Sequence, residues 1–100
     1  MRFSFHPDAE AEFDQAVAYY EERQSGLGLD LADEILVAVA RILDYPKSGQ
    51  PFSKNTRRCL AKRFPYGLIY QIHEDMVRII AVAHLSRRPK YWEKRVKQDK

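Results

Sequence analysis

Met76–His84 reads MVRIIAVAH, and this stretch decides the fold. It is rich in β-branched residues and apolar on both faces except at Arg78, a pattern typical of a strand inside a sheet. Residues 68–73 alternate at strand spacing, and the acidic pair at 74–75 predicts a hairpin turn between the two strands. Residues 57–63 predict another strand, so the second half of the chain predicts a three-stranded meander.

The first half of the chain predicts a strand and two helices. Residues 2–6 alternate, and we expect this short strand to join the sheet beside the last one. From Pro7 the apolar period is helical as far as the Ser-Gly-Leu-Gly turn at 25–28, where glycine favours a stop. A wider apolar stripe predicts a second helix over residues 29–44. So short a turn predicts an antiparallel hairpin of helices, and residues 46–56 predict a loop.

The predicted order β-α-α-β-β-β describes an α+β fold of two layers, with a helical hairpin packed on a mainly antiparallel sheet. We expect residues 1–100 to form a single domain. No apolar run approaches the roughly 20 residues needed to span a bilayer, and the first residues lack a signal-peptide pattern. We therefore expect a cytoplasmic protein without a membrane partner. The single cysteine and three scattered histidines predict no metal site and no cofactor.

Charge is divided steeply along the chain. Residues 1–44 hold ten acidic and three basic side chains, whereas residues 45–100 hold four acidic and fourteen basic ones. Such a division concerns partners rather than fold, and the basic half favours a polyanion, either nucleic acid or an acidic protein. The acidic residues of the first helix, Glu21 among them, are most simply interpreted as a solvated surface.

Aromatic residues are interleaved with the basic ones, a mixture that favours single-stranded nucleic acid because guanidinium groups fork onto phosphates and rings stack on bases. The residues predicted to bind a target or a partner protein are Arg57, Arg58, Lys62, Arg63, Arg87, Arg88, Tyr91 and Trp92. The alternative explanation of the same pattern is structural: the basic residues form a solvated strand face, and the aromatic residues belong to the core. Tyr70 in particular is predicted to belong to the core.

A catalytic set is a further hypothesis. RNA cleavage by the 2′-hydroxyl needs a base, an acid and positive charge near the phosphorus. The candidates for these roles are Arg63, His84, Arg87 and Tyr91. A histidine at a strand end is more often a structural hydrogen-bonding group. Since the sequence has no nucleophile elbow or phosphate loop, any catalysis is expected to be metal-free and to use cationic groups.

Several short motifs follow one another along nearly the whole chain. They are Phe5-His6-Pro7-x-Ala9-x-x-Glu12, Ala18-Tyr19-Tyr20-Glu21, Gly26-Leu27-Gly28, Arg57-Arg58, Phe64-Pro65-Tyr66-x-x-x-Tyr70 and Ala81-Val82-Ala83-His84-x-x-Arg87-x-Pro89-x-x-Trp92. In this order and spacing the chain resembles the RelE/ParE superfamily of bacterial type II toxins, and its final motif is more similar to ParE-like members. Arg88 departs from the pattern, since many relatives have an acidic residue there.

The resemblance implies the same β-α-α-β-β-β fold and a toxin of a plasmid-stabilisation or chromosomal module, silenced by a cognate antitoxin in a hetero-oligomer. ParE-like members poison DNA gyrase, so growth arrest through gyrase is the leading implied function. RelE-like members cut messenger RNA on the ribosome, and a ribosome-dependent mRNA endonuclease is the alternative. A non-toxic binding module of the same fold is the second alternative.

Overall fold

The computed structural model describes residues 1–96 and contains a five-stranded mixed sheet with two helices on one face. The strands are β1 (Arg2–Phe5), β2 (Gln50–Pro51), β3 (Arg57–Leu60), β4 (Tyr66–His73) and β5 (Met76–His84), in the spatial order β1-β5-β4-β3-β2. The helices are α1 (Pro7–Arg23) and α2 (Leu27–Asp44), and a short 3-10 helix spans Glu93–Arg95. The predicted α+β fold of two layers is confirmed. Within the described residues, no helix is long and apolar enough to cross a membrane.

β5 lies inside the sheet, between the parallel strand β1 and the antiparallel strand β4. Ile79 belongs to the core beneath the helices, whereas Ile80 and Ala81 are buried in a second apolar cluster that contains no helical residue. Ile79 pairs with Tyr70 and Ala81 with Ile69, so Ile80 forms a bulge that shifts the register. Both predictions for this region are confirmed: the stretch is a strand covered on both faces, and the first strand joins it.

The turn between the helices depends on two glycines and one carboxylate. Gly26 has a φ of 89°, which residues with a side chain rarely adopt. A Cβ on Gly28 would lie 2.5 Å from the Val17 carbonyl oxygen, so the close approach of α2 to α1 requires glycine. The Glu21 carboxylate accepts hydrogen bonds from the N–H groups of Gly26 (2.8 Å) and Gly28 (2.9 Å) and thereby caps α2. Glu21 is exposed, as expected for a solvated surface, and it has this capping role in addition.

The strand predicted over residues 57–63 ends earlier, at Leu60. The Arg63 backbone N–H donates to the Glu34 carboxylate of α2 at 2.5 Å, and the Arg63 guanidinium lies 3.7 Å from the Asp30 carboxylate. These contacts turn the chain toward the helices and away from β4. The alternation in the sequence carries no sign of this turn, because the acceptors belong to α2.

The predicted loop before β3 contains the short strand β2, because two side chains hold it against the sheet. The Arg57 guanidinium donates to the carbonyls of Lys47 (2.9 Å) and Gly49 (2.8 Å). Tyr70 is fully buried, as predicted; its hydroxyl donates to the Pro46 carbonyl (2.7 Å) and accepts from the Gly49 N–H (3.1 Å). Burial raises the pKa of Tyr70, so the hydroxyl stays protonated as this donor.

Replacing Glu21 with alanine should lower the free energy of unfolding by about 1 kcal/mol, because two N–H groups at the start of α2 lose their acceptor. Urea denaturation followed by circular dichroism measures this change. Glu22→Ala is the matched control, since Glu22 is the exposed next residue on the same helix. Its effect should stay within about 0.5 kcal/mol. Equal effects of the two substitutions would contradict the capping role.

Candidate functional site

A cleft of about 90 Å³ lies on the face of the sheet opposite the helices, beneath the segment that follows β5. We refer to it as the cationic cleft. Four of its lining side chains are basic, Arg58 from β3 and Arg87, Arg88 and Lys90 from the segment after β5, and none of its lining residues is acidic. Because like charges repel, such a cluster is held together only by the fold around it.

Aromatic rings lie beneath two of these cations, Arg58 and Arg87. Trp92 is only 2% exposed and packs against Phe52 with ring centroids 5.8 Å apart. The Arg58 guanidinium lies over the Phe52 ring at 5.4 Å, and the Arg87 guanidinium lies over the Tyr91 ring at 3.9 Å. Cation–π contacts of this kind fix the guanidinium groups in place. The rings therefore orient positive charge and do not offer open faces to a ligand.

Glu12 of α1 fastens the segment after β5 to the sheet. Its carboxylate accepts hydrogen bonds from the Tyr91 hydroxyl (2.7 Å), from both terminal nitrogens of Arg95 (3.0 Å each) and from the Val82 N–H (3.0 Å). Arg95 also donates to the Ile80 carbonyl at 3.2 Å. Val82 lies on β5 beyond the last residue paired with β1, so Glu12 takes the place of a neighbouring strand. We refer to these contacts as the Glu12 network.

The Glu12 network determines the protonation state of Tyr91. Burial, together with the hydrogen bond to Glu12 and its negative charge, raises the pKa of Tyr91 well above the ordinary value. The phenol is therefore neutral at physiological pH, and its proton is directed at Glu12 rather than at the cleft.

His84 also has structural partners. Its Nδ1 accepts a hydrogen bond from the Ser86 N–H at 3.0 Å, which closes the turn after β5. Its ring packs edge-on against Tyr66, with centroids 5.1 Å apart. The position of His84 is thus explained by the turn it stabilises, and only its Nε2 is left for other contacts.

The structure brings together some of the predicted site residues and separates others. The cationic cleft is lined by His84, Arg58, Arg87, Arg88, Tyr91 and Trp92. Lys62 and Arg63 instead line a separate groove of about 290 Å³ against α2, where three acidic side chains face them. Arg57 uses its guanidinium to hold the segment before β3. The four candidate catalytic residues therefore do not share one pocket, since Arg63 stands apart from the rest.

Sequence reasoning did not identify Lys90, Glu12 or Arg95 as parts of this site. Lys90 stands in a run of basic residues, and nothing in the sequence distinguishes it from its neighbours. Glu12 belongs to the first motif of the resemblance, which was the one available signal. Its partner Arg95 lies 83 residues further along the chain, so no local pattern joins the two. Among residues 1–96 no cluster of three His, Cys, Asp or Glu side chains is placed to hold a metal ion.

Comparisons with known proteins agree with this fold. The family model described as "ParE toxin of type II toxin-antitoxin system, parDE" matches residues 3–89. A solved structure described as "Chromosomal ParDE TA system from P. aeruginosa" superposes with a TM-score of 0.73 at 16% identity, covering 86% of this chain and 97% of that chain. No curated protein matches the sequence. At this identity the structural likeness concerns the fold alone.

The stability advantage of the wild type over Tyr91→Phe should shrink as the pH rises above about 10. An unfolded phenol ionises near pH 10, whereas the folded pKa of Tyr91 is higher, so above that pH the folded state holds a proton that the unfolded state has lost. Below about pH 10 both states are protonated and the advantage should be constant. Urea unfolding at a series of pH values measures the difference.

Tyr19→Phe is the control for this experiment, because it removes a phenol from the exposed surface of α1. The difference in unfolding free energy between the wild type and Tyr19→Phe should change less on crossing pH 10 than the difference between the wild type and Tyr91→Phe. A difference between the wild type and Tyr91→Phe that does not change on crossing pH 10 would contradict the described environment of Tyr91.

Proposed function

The chain belongs to the ParE toxin family of type II toxin–antitoxin systems, and we propose that it arrests growth by poisoning DNA gyrase in the cytoplasm until a cognate antitoxin neutralises it. The single observation that carries this proposal is the family match, which spans residues 3–89. On this proposal the toxin acts by binding rather than by catalysis. Its partners are gyrase, as the target, and the antitoxin, with which it forms a hetero-oligomer.

The cationic cleft supports a mode of action based on binding. Arg58 on β3 and Arg87 in the segment after β5 are both oriented by aromatic rings, so little conformational entropy is lost when a partner engages them. Positive charge without acidic neighbours speeds the encounter with a negatively charged partner, and this effect weakens as salt is added. We therefore assign the cationic cleft to the target.

A ribosome-dependent mRNA endonuclease is the alternative from the enzyme class. It requires an acid, a base and a cation within reach of one phosphate. Arg63 lies in the groove beside α2 and contacts Asp30, while the Tyr91 hydroxyl donates to Glu12. These contacts do not favour an assembled catalytic set, and they make the binding mechanism the better-supported proposal.

The surface of α2 is suited to an antitoxin peptide. Three of its side chains, Leu29, Leu36 and Val37, are 65%, 47% and 60% exposed. The groove beside them carries the basic side chains of Lys62 and Arg63 on one side and three acidic side chains of α2 on the other. Exposed apolar side chains next to charged ones are typical of a surface that receives an amphipathic segment. We propose that the antitoxin covers this surface with a helix or a strand whose apolar side chains pack on α2 and whose acidic residues lie beside Lys62 and Arg63.

Inducible expression of the wild type in bacteria should arrest growth and raise DNA-damage signalling, because a poisoned gyrase leaves broken DNA. Transcripts should stay intact, and co-expression of the antitoxin should restore growth. A damage-responsive reporter, plasmid supercoiling and transcript mapping, followed in the same culture, measure these outcomes. Early cuts phased with codons and without damage signalling would support the endonuclease and overturn this proposal. Normal growth at full expression would favour a non-toxic binding module.

A further inference from the structure

The cationic cleft has an unpaired donor as well as unpaired charge. Within residues 1–96, the buried Nε of Arg58 has no hydrogen-bond partner. A buried N–H group left without an acceptor costs about 1–3 kcal/mol. A terminal nitrogen of this guanidinium donates to the side-chain oxygen of Gln50 at 3.5 Å. An anion that enters the cleft would lie beside the Arg58 side chain and would offset the repulsion among the four cations.

The size of the cleft indicates which anion fits. Its volume is about 90 Å³. Pockets that enclose drug-sized ligands are several times larger, at about 300–1,000 Å³. A tetrahedral phosphate group therefore matches the cleft better in size than a nucleoside with its base and sugar. Arginine forks also match phosphate oxygens in geometry, which a single lysine does not achieve.

The aromatic rings indicate which form of nucleic acid fits. Recognition of single strands depends on exposed rings that stack on bases. Here Trp92 is buried, and the rings of Tyr91 and Phe52 lie under guanidinium groups. A duplex keeps its bases stacked and presents its phosphates outward, so it requires no such ring. This geometry therefore favours a duplex. The interleaved aromatic residues of the sequence instead predict single-stranded nucleic acid.

We propose that the cationic cleft is a phosphate site for the backbone of duplex DNA, in which Arg58, Arg87, Arg88 and Lys90 grip one or two adjacent phosphates without reading sequence. This inference rests on the proposed function, in which the toxin meets DNA at gyrase. Binding of DNA by the cleft needs only the toxin itself, so it can be measured without gyrase.

The test is fluorescence anisotropy of the full chain with a labelled duplex of about 20 base pairs, over a range of salt concentrations. The wild type should bind the duplex more tightly than either of its single strands. The double variant R87Q/R88Q should bind about tenfold more weakly, and the slope of log affinity against log salt should be shallower by about 2. Circular dichroism confirms that each variant is folded.

The matched control is R2Q/R23Q, which removes two positive charges from exposed positions that do not line the cleft. Its affinity for the duplex should stay within about twofold of the wild type. Equal weakening by both double variants would overturn the proposal, because net charge alone would then explain binding. Tighter binding to single strands, or displacement of the duplex by an acidic peptide at matched charge concentration, would also overturn it.

The same variants separate this inference from the proposed function. If the wild type does not bind duplex DNA but still raises damage signalling in cells, the phosphate site is wrong and the proposed function stands. If the wild type binds the duplex through the cleft but causes no damage signalling, the site stands and gyrase poisoning is wrong.

Discussion

The carboxylate of Glu12 joins three parts of the fold that share no backbone hydrogen-bond ladder: α1, the free edge of β5 and the segment that follows it. The side chains of Glu12 and Arg95 are only 14% and 16% exposed, so this ion pair is largely removed from water. Removing one partner of such a pair typically costs about 3–5 kcal/mol, because the other charge is left buried and unpaired. The path of residues 91–95 over the sheet depends on this contact.

The cationic cleft follows from the Glu12 network. With its hydroxyl held by Glu12, Tyr91 presents the face of its ring to the Arg87 guanidinium. Trp92, the next residue, is buried against Phe52, whose ring lies under Arg58. Arg87 is thus oriented by Tyr91, which belongs to the network, and Arg58 by Phe52, which packs against the next residue, Trp92. The positive surface is consequently a property of the fold rather than of the local abundance of basic residues.

The division of charge along the chain corresponds to a division of roles. Acidic side chains of the helical layer serve as acceptors: Glu12 for the C-terminal segment, Glu21 for the start of α2 and Glu34 for the chain after β3. Among the basic residues, Arg57 and Arg95 are likewise used for structure. The remaining cations around the cleft have no acidic neighbour in its lining. The excess of positive charge in the second half of the chain is therefore only partly available to a partner.

The sequence predicted those parts of the fold that local periodicity encodes, and it failed where distant residues meet. Neighbouring residues reveal the buried strand Met76–His84 through its run of apolar, β-branched residues, and the two helices through their period of 3.6. The end of β3 and the pairing of β2 depend on acceptors in α2 and on the reach of Arg57, which no local window contains. For the site, the sequence suggested most of the cleft cations, but it could not show that Arg63 faces the other side or that Trp92 is buried.

Hydrogen exchange at the Val82 amide tests the central role of Glu12 most directly, because this N–H donates to Glu12 at a strand edge without a neighbouring strand. Exchange is compared by NMR between Glu12→Ala, which removes the acceptor, and Glu10→Ala, which removes an exposed carboxylate on the same helix. The account predicts at least about tenfold faster exchange at Val82 in Glu12→Ala and the wild-type rate at Val82 in Glu10→Ala. Equal protection of Val82 in the two variants would contradict it.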